Sequence, residues 1–281
     1  MGSLAAPRVA LAETLRSGQA FRWRESAGWF HGVLGRTAVK VRQEGDRIVY
    51  AVSNEAVGAP ELARYFALDL DLERVLRSID VDLQIHRAIA ATPGLRVLRQ
   101  DPWETLGSFI LASFNNIRRI EGMIERVCRA YGDPVAMNGM PIYGFPPPER
   151  LARASERALR ALGLGYRAPY LRATARLVAN GRLPLPQLEA VGYEEARRAL
   201  LGCDGVGQKV ADCVALFGCG KTEAFPIDVW MARALRYYFR HRRISYGAAR
   251  EYARRHFGPY AGYAQQYLYH YVRGRRSATW S

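Results

Sequence analysis

From about Phe21 to Val52 aromatic and β-branched residues alternate with polar ones, and the run is broken at Ser26-Ala27-Gly28, Gly35 and Glu44-Gly45-Asp46. Period-two alternation with turn residues at those breaks predicts an antiparallel meander. Beyond residue 52 the apolar period becomes helical. Asp101-Pro102-Trp103-Glu104 sets an acidic N-cap before a proline at the first helical position and a glutamate at the third, a strong helix start. The main boundary is placed just before it. Ile117, Ile120, Ile124, Val127 and Tyr131 keep helical spacing up to Gly132, a C-terminal stop. Pro146-Pro147-Pro148 punctuates the next connection, and arginine-bearing helical patterns run from Glu149 to the end. Met1-Gly2-Ser3 is given no element, and there is neither an internal repeat nor a long low-complexity linker. The prediction is an α+β chain in which a small N-terminal antiparallel β-sheet domain (1–98) packs on a mainly α-helical body (99–281). A glycine-rich hairpin joins two helices at about 196–217, and the cleft lies where helical subdomains meet.

Charge narrows the partner. The 281 residues carry a formal +15 at pH 7, which indicates a polyanion, most often nucleic acid. An acidic membrane surface fits the charge equally, but no apolar run reaches transmembrane length and the N-terminus lacks a secretory pattern. Cys128, Cys203, Cys213 and Cys219 suggest a reducing, intracellular compartment, and none shows zinc spacing with the five histidines. No metal is implied.

The chemistry concentrates between Leu201 and Trp230. The Gly205-Val206-Gly207 turn leaves backbone N–H groups free at a helix start, where unpaired donors and the helix dipole favour phosphate. Lys209 follows it. Of 41 basic residues only Lys40, Lys209 and Lys221 are lysines, so a position needing only positive charge would more naturally hold arginine in this chain. Lysine differs in that its neutral amine is a nucleophile. Phosphate binding and nucleophilic attack both remain open for Lys209 on this ground. Asp228 precedes an apolar, arginine-rich helical run, so its default role is an N-cap. A capped carboxylate can also stabilise a nearby developing cation, and the two roles are compatible.

The hairpin, lysine and aspartate resemble the helix-hairpin-helix DNA glycosylase superfamily, and further segments resemble its 8-oxoguanine DNA glycosylase branch. Those segments are Ser17–Trp23, Phe109–Ile117, Leu162–Arg167 and Gly258–Gln265, in the same order and spanning almost the whole chain. A GVG hairpin alone would be weak evidence. The resemblance implies a bifunctional glycosylase and abasic-site lyase, acting as a monomer on double-stranded DNA inside the cell. In it Lys209 and Asp228 are catalytic, and Gly18, Cys213, Gln265 and Tyr269 hold the lesion base. Tyr166 is the wedge, and Arg119 and Arg167 contact the orphaned cytosine. Asn115, Asn116, Gly205, Gly207 and Val210 meet the DNA backbone. No cofactor is implied. Some relatives carry a four-cysteine iron–sulfur cluster after the catalytic domain, and with no cysteine beyond Cys219 none is expected here. A single cation on hairpin carbonyls around Leu201, Cys203 and Val206 is compatible with the motif.

Two positions depart from the family pattern. Phe114 stands where asparagine is usual; it can stack or wedge but cannot hydrogen-bond a cytosine edge, which predicts weaker discrimination of the base opposite the lesion. Trp230 stands where many relatives have a histidine near a phosphate, which puts that contact in doubt. Two other readings stay open: a sister glycosylase for another oxidised or alkylated base, and a non-catalytic module that uses the hairpin only to grip phosphates.

Overall fold

The computed structural model describes residues 1–137, 140–238 and 244–274. Its N-terminal sheet is five-stranded and antiparallel, in the order β1-β5-β4-β3-β2. The strands are β1 (Gly2–Ala5), β2 (Arg24–Ser26), β3 (Trp29–Leu34), β4 (Thr37–Glu44) and β5 (Arg47–Val52), with helix α1 (Leu11–Arg16) after the first. The hairpin turns fall at the predicted breaks, where Ala27, Gly28, Gly35 and Gly45 all take the left-handed φ that tight turns demand. Phe30, Val39, Val41 and Ile48 bury against Leu4, Leu62, Phe66 and Leu98 in one apolar cluster. Strand β1 had no sequence signal of its own. Gly-Ser-Leu-Ala is poor in strand formers, and it is extended because it pairs with β5, with Leu4 opposite Ile48.

Helices α2 (Ala59–Tyr65), α3 (Leu72–Ile79) and α4 (Leu83–Ala91) lead into the body, followed by α5 (Pro102–Leu111) and α6 (Ile117–Tyr131). The start of α5 is capped as predicted, with Asp101 Oδ1 accepting from Glu104 N at 2.7 Å, and α6 ends at Gly132. A two-stranded ribbon, β6 (Pro134–Met137) and β7 (Met140–Tyr143), comes next. The sequence did not suggest it, because a proline in each strand argues against strand structure. Then come α7 (Pro148–Arg153), α8 (Glu156–Leu159), α9 (Arg167–Ala179), α10 (Tyr193–Leu201), α11 (Gln208–Phe217), α12 (Val229–Tyr238), α13 (Tyr246–Phe257) and α14 (Ala261–Gly274).

Helices α5, α11 and α14 are buried along most of their length. Close approach of α14 to α11 requires Gly262, where a Cβ would meet Leu216 Cδ1 at 2.3 Å. The segment from Ser17 to Trp23 ties the sheet to this body. Gln19 Nε2 donates to the carbonyls of Thr14 (3.1 Å) and Arg96 (2.8 Å), while its Oε1 accepts from Leu98 N at 2.8 Å. Gln266 on α14 donates to the Ser17 carbonyl at 3.1 Å, and Arg22 pairs with Glu104 at 3.1 Å. A cavity of about 350 Å³ beside this segment is lined in part by the Arg22–Glu104 and Arg64–Glu189 ion pairs.

Candidate active site

The hairpin between α10 and α11 is built on its glycines. Gly205 has φ +78°, and a Cβ there would meet the Tyr170 ring at 2.4 Å, so only glycine fits on both counts. Gly207 is the N-cap of α11 and offers no side chain to cap it. The N–H groups of Gln208, Lys209 and Val210 therefore lack intrahelical acceptors and carry the positive end of the helix dipole. All of these residues line a cavity of about 1610 Å³. That exceeds the roughly 300–1,000 Å³ typical of a small-molecule pocket and suits a stretch of polymer. Val210 itself is buried, so its N–H is what it can offer a phosphate. The Cys203 carbonyl, one of three expected around a cation, accepts from Val206 N at 3.1 Å.

Lys209 and Asp228 line this same cavity from different elements. The lysine Nζ lies 4.6 Å from the centroid of the Phe109 ring, and Cys213 stands one turn further along α11. Burial pushes its thiol up to about 11 against the pull of Lys209. Asp228 is the N-cap its sequence context predicts: Oδ1 accepts from Trp230 N at 3.0 Å and Met231 N at 2.9 Å. The cap fixes the carboxylate at the head of α12, on the cavity wall.

Of the four residues expected around a lesion base, Gly18 and Tyr269 line the cavity, whereas Cys213 and Gln265 are buried and do not reach its wall. The amide oxygen of Gln265 is buried with no hydrogen-bond partner, a costly state for a protein interior unless something else supplies a donor. Gly18 has φ +80°, and a Cβ would stand 3.2 Å from Tyr269 Oη and 3.1 Å from Arg273 Nη1. Arg273 also lines the cavity, with its guanidinium 5.9 Å from the centroid of the Tyr269 ring. No motif distinguished it from the other arginines of the chain.

The opposite rim is built by the loop before α6. Phe114 is 99% exposed, has φ +48° and lines the cavity. Tyr166, half exposed, donates its hydroxyl to the Ser113 carbonyl at 3.1 Å. Arg167 is placed differently from the free guanidinium expected at an orphaned base. It is 7% exposed, donates from Nε to Ser113 O at 3.0 Å and from Nη2 to the Ser113 and Phe114 carbonyls, and stacks on Tyr166 at 4.3 Å. Arg119 is exposed in the first turn of α6 and off the cavity wall, while its neighbour Arg118 is on it. Asn116 caps α6, accepting from Arg119 N at 3.0 Å, and Asn115 Oδ1 accepts from Asn116 N at 3.1 Å. Both asparagines line the cavity, as does Trp230, over which Arg233 stacks at 5.0 Å.

Comparison with known proteins places the chain in a family. Residues 3–106 match the family model described as 8-oxoguanine DNA glycosylase, N-terminal domain, and residues 108–259 match that of the HhH-GPD superfamily base excision DNA repair protein. The chain is 32% identical to a probable N-glycosylase/DNA lyase of Methanothermobacter thermautotrophicus, over 94% of this chain and 93% of that one. It is 34% identical to the N-glycosylase/DNA lyase of Saccharomyces cerevisiae, over 80% of this chain and 67% of the relative. The Clostridium acetobutylicum 8-oxoguanine glycosylase/lyase, solved with double-stranded DNA bearing cytosine opposite 8-oxoG, superposes with a TM-score of 0.90 at 30% identity, covering 96% of this chain and 93% of that one. The chain thus belongs to the 8-oxoguanine DNA glycosylase branch of the HhH-GPD superfamily of base excision DNA repair proteins.

Proposed function

We propose that this protein is a bifunctional DNA glycosylase and abasic-site lyase that extrudes 8-oxoguanine from duplex DNA, excises it through a lysine Schiff base and cleaves the strand by β-elimination. The observation that carries the reading is that Lys209 and Asp228 line one DNA-sized cavity together with the hairpin and the uncapped N-terminus of α11, which suits a phosphate. Its place of work is with the cell's DNA, and among the described residues no helix is long and apolar enough to cross a membrane.

Extruding a base costs a few kcal/mol of lost stacking, which contacts to the flipped base and the vacated gap offset. Tyr166 and Phe114 fill the gap, while Arg118, Arg236 and Arg273 on the cavity wall offer charge to phosphates. 8-Oxoguanine differs from guanine by a C8 oxygen and a proton on N7, so its reader needs an acceptor aimed at N7–H. The Gly18 carbonyl supplies it, because glycine lets the backbone approach. Gln265, with its unmatched amide oxygen, and Cys213 lie behind the wall of the free cavity, so their contact with the base requires that wall to open when the base enters. Tyr269 meets one face of the ring at the wall itself, and the neutral Cys213 thiol backs the other once the wall has opened.

The neutral Lys209 amine attacks C1′ of the extruded nucleotide. A C–N bond forms as the glycosidic bond breaks, and the bonding pair leaves on the base nitrogen, which takes up a proton. Asp228 stabilises the cationic character of the sugar and relays the proton. The aminal opens at C1′–O4′ to a protonated imine, loss of a C2′ proton expels the 3′ phosphate, and water releases the lysine. No step needs a protein group beyond the amine and, while the base departs, the carboxylate, and no cofactor is proposed.

Borohydride trapping on a duplex with 8-oxoguanine opposite cytosine, comparing wild type with Lys209→Gln, tests this. A covalent adduct formed by the wild type alone is expected. Tight binding with no wild-type adduct would refute the reading for this lesion, and a panel of oxidised and alkylated bases would then separate a sister glycosylase from a binding module.

A further inference from the structure

We propose that Tyr246 and Asp212 are positioning residues that hold the Asp228 carboxylate in register with the Lys209 amine; this rests on the glycosylase reading above. Asp212 lies on α11, three residues beyond Lys209, and is fully buried. Its carboxylate is saturated with donors: Oδ1 accepts from Tyr193 Oη at 2.7 Å and Arg197 Nε at 2.8 Å, and Oδ2 accepts from Tyr246 Oη at 2.6 Å. Tyr246 begins α13, and its oxygen in turn accepts from the backbone N–H of Ile227 at 3.2 Å. Ile227 immediately precedes Asp228. A continuous path of hydrogen bonds therefore runs from the helix that carries the amine, through a carboxylate and a phenol, to the turn that carries the catalytic carboxylate.

The chemistry of this path argues for direction rather than mere cohesion. A buried carboxylate is a poor way to fill a core, since well-packed apolar side chains of similar volume are commonly as stable. What a carboxylate and a phenol add is fixed geometry, because the phenol donates on one side and accepts on the other. The two catalytic groups sit on elements separated by a turn and a loop, and a displacement of about 1 Å between reacting groups costs up to about a hundredfold in rate. Tyr246 also lines the active-site cavity, so the path ends where the substrate lies.

Tyr246→Phe keeps the ring and removes both hydrogen bonds. In the full-length protein we would measure thermal unfolding, affinity for a duplex carrying a non-cleavable tetrahydrofuran abasic analogue, single-turnover excision of 8-oxoguanine, and borohydride trapping on a pre-formed abasic site. Condensation of the amine with a pre-formed aldehyde involves no departing base and no cationic sugar, so it makes no call on a placed carboxylate. The expected result is excision about 10- to 100-fold slower, with affinity and trapping close to wild type. Asp212→Asn, which turns an amide donor towards the Tyr246 hydroxyl, gives the same selective loss; if that variant does not fold, Tyr246→Phe decides alone. Excision by Tyr246→Phe at the wild-type rate, or a proportionate fall in excision and trapping together, overturns the proposal. If the wild type itself excises nothing, the glycosylase reading fails and this inference with it, so the two failures are distinguishable.

Discussion

Phe114→Asn separates three quantities that a role at the DNA gap would couple. Phe114 is 99% exposed at φ +48°, and a left-handed conformation costs an L-residue roughly 1–2 kcal/mol, less for asparagine. The substitution should therefore stabilise the free protein by about 1 kcal/mol and raise Tm by about 2–4 °C. In the complex the change runs the other way. Stacking of a base on an aromatic ring is worth roughly 1–3 kcal/mol, so affinity for lesion DNA should fall by about 5- to 150-fold. Asparagine restores a donor and an acceptor facing the opposite base, and a net hydrogen bond worth about 0.5–1.5 kcal/mol should raise the preference for cytosine by up to roughly tenfold.

Single-turnover excision from duplexes with C, A, G or T opposite 8-oxoguanine, together with fluorescence anisotropy for binding, reads the last two quantities. Thermal unfolding reads the first. Weak dependence on the opposite base is expected of the wild type, with a sharper cytosine preference in the variant. Strict cytosine dependence in the wild type would refute the reasoning. So would an asparagine variant that binds as tightly and discriminates no better, since Phe114 would then touch nothing in the gap.

Glu104→Leu leaves the partly buried Arg22 guanidinium without its ion partner, and losing a hydrogen bond to a charged group costs about 1.5–3 kcal/mol; urea unfolding should show that loss, and a loss under 1 kcal/mol would mean the charge is solvated. All four cysteines are buried, and burial pushes Cys203 and Cys213 up to about 11 and Cys128 and Cys219 up to about 12. Thiol reagents at pH 8 should label none of them in the native protein and four in denaturant, and a fast native thiol would contradict this. Because unfolded thiols ionise near pH 8.5, their contribution is intact below that pH. It is lost as the pH climbs towards 11 to 12, which unfolding free energies measured from pH 8 upward would register.

The parts of this molecule legible in its sequence are those encoded locally. The meander is visible because its turns need left-handed residues at 27, 28, 35 and 45. The α5 start and the Gly205–Gly207 hairpin are visible because capping and phosphate-facing turns demand particular residue types within a few positions. Strand β1 was hidden because its extension comes from pairing with β5, 48 residues away where Gly2 meets Tyr50, and not from its own residues. The β6–β7 ribbon was masked by its prolines. Arg167 was expected at the orphaned base, and nothing in Gly-Tyr-Arg says that the guanidinium turns onto the Ser113 carbonyl.

The same distinction explains which site residues were missed. Lys209 and Asp228 announce themselves, one by its rarity among the basic residues and the other by its cap. Arg273, Tyr246 and Asp212 do not, because each matters through a partner far away in sequence: Gly18 for the first, and each other for the last two. Nucleophile and carboxylate are chemical identities and can be read residue by residue. Their mutual placement is a tertiary property, and here it passes through a buried carboxylate and a phenol that join residues 212, 246 and 227. A chain that kept the lysine and the aspartate but lost that connection would retain the reagents of the reaction without their alignment, which is why the excision rate, and not DNA affinity, is the quantity that should report it.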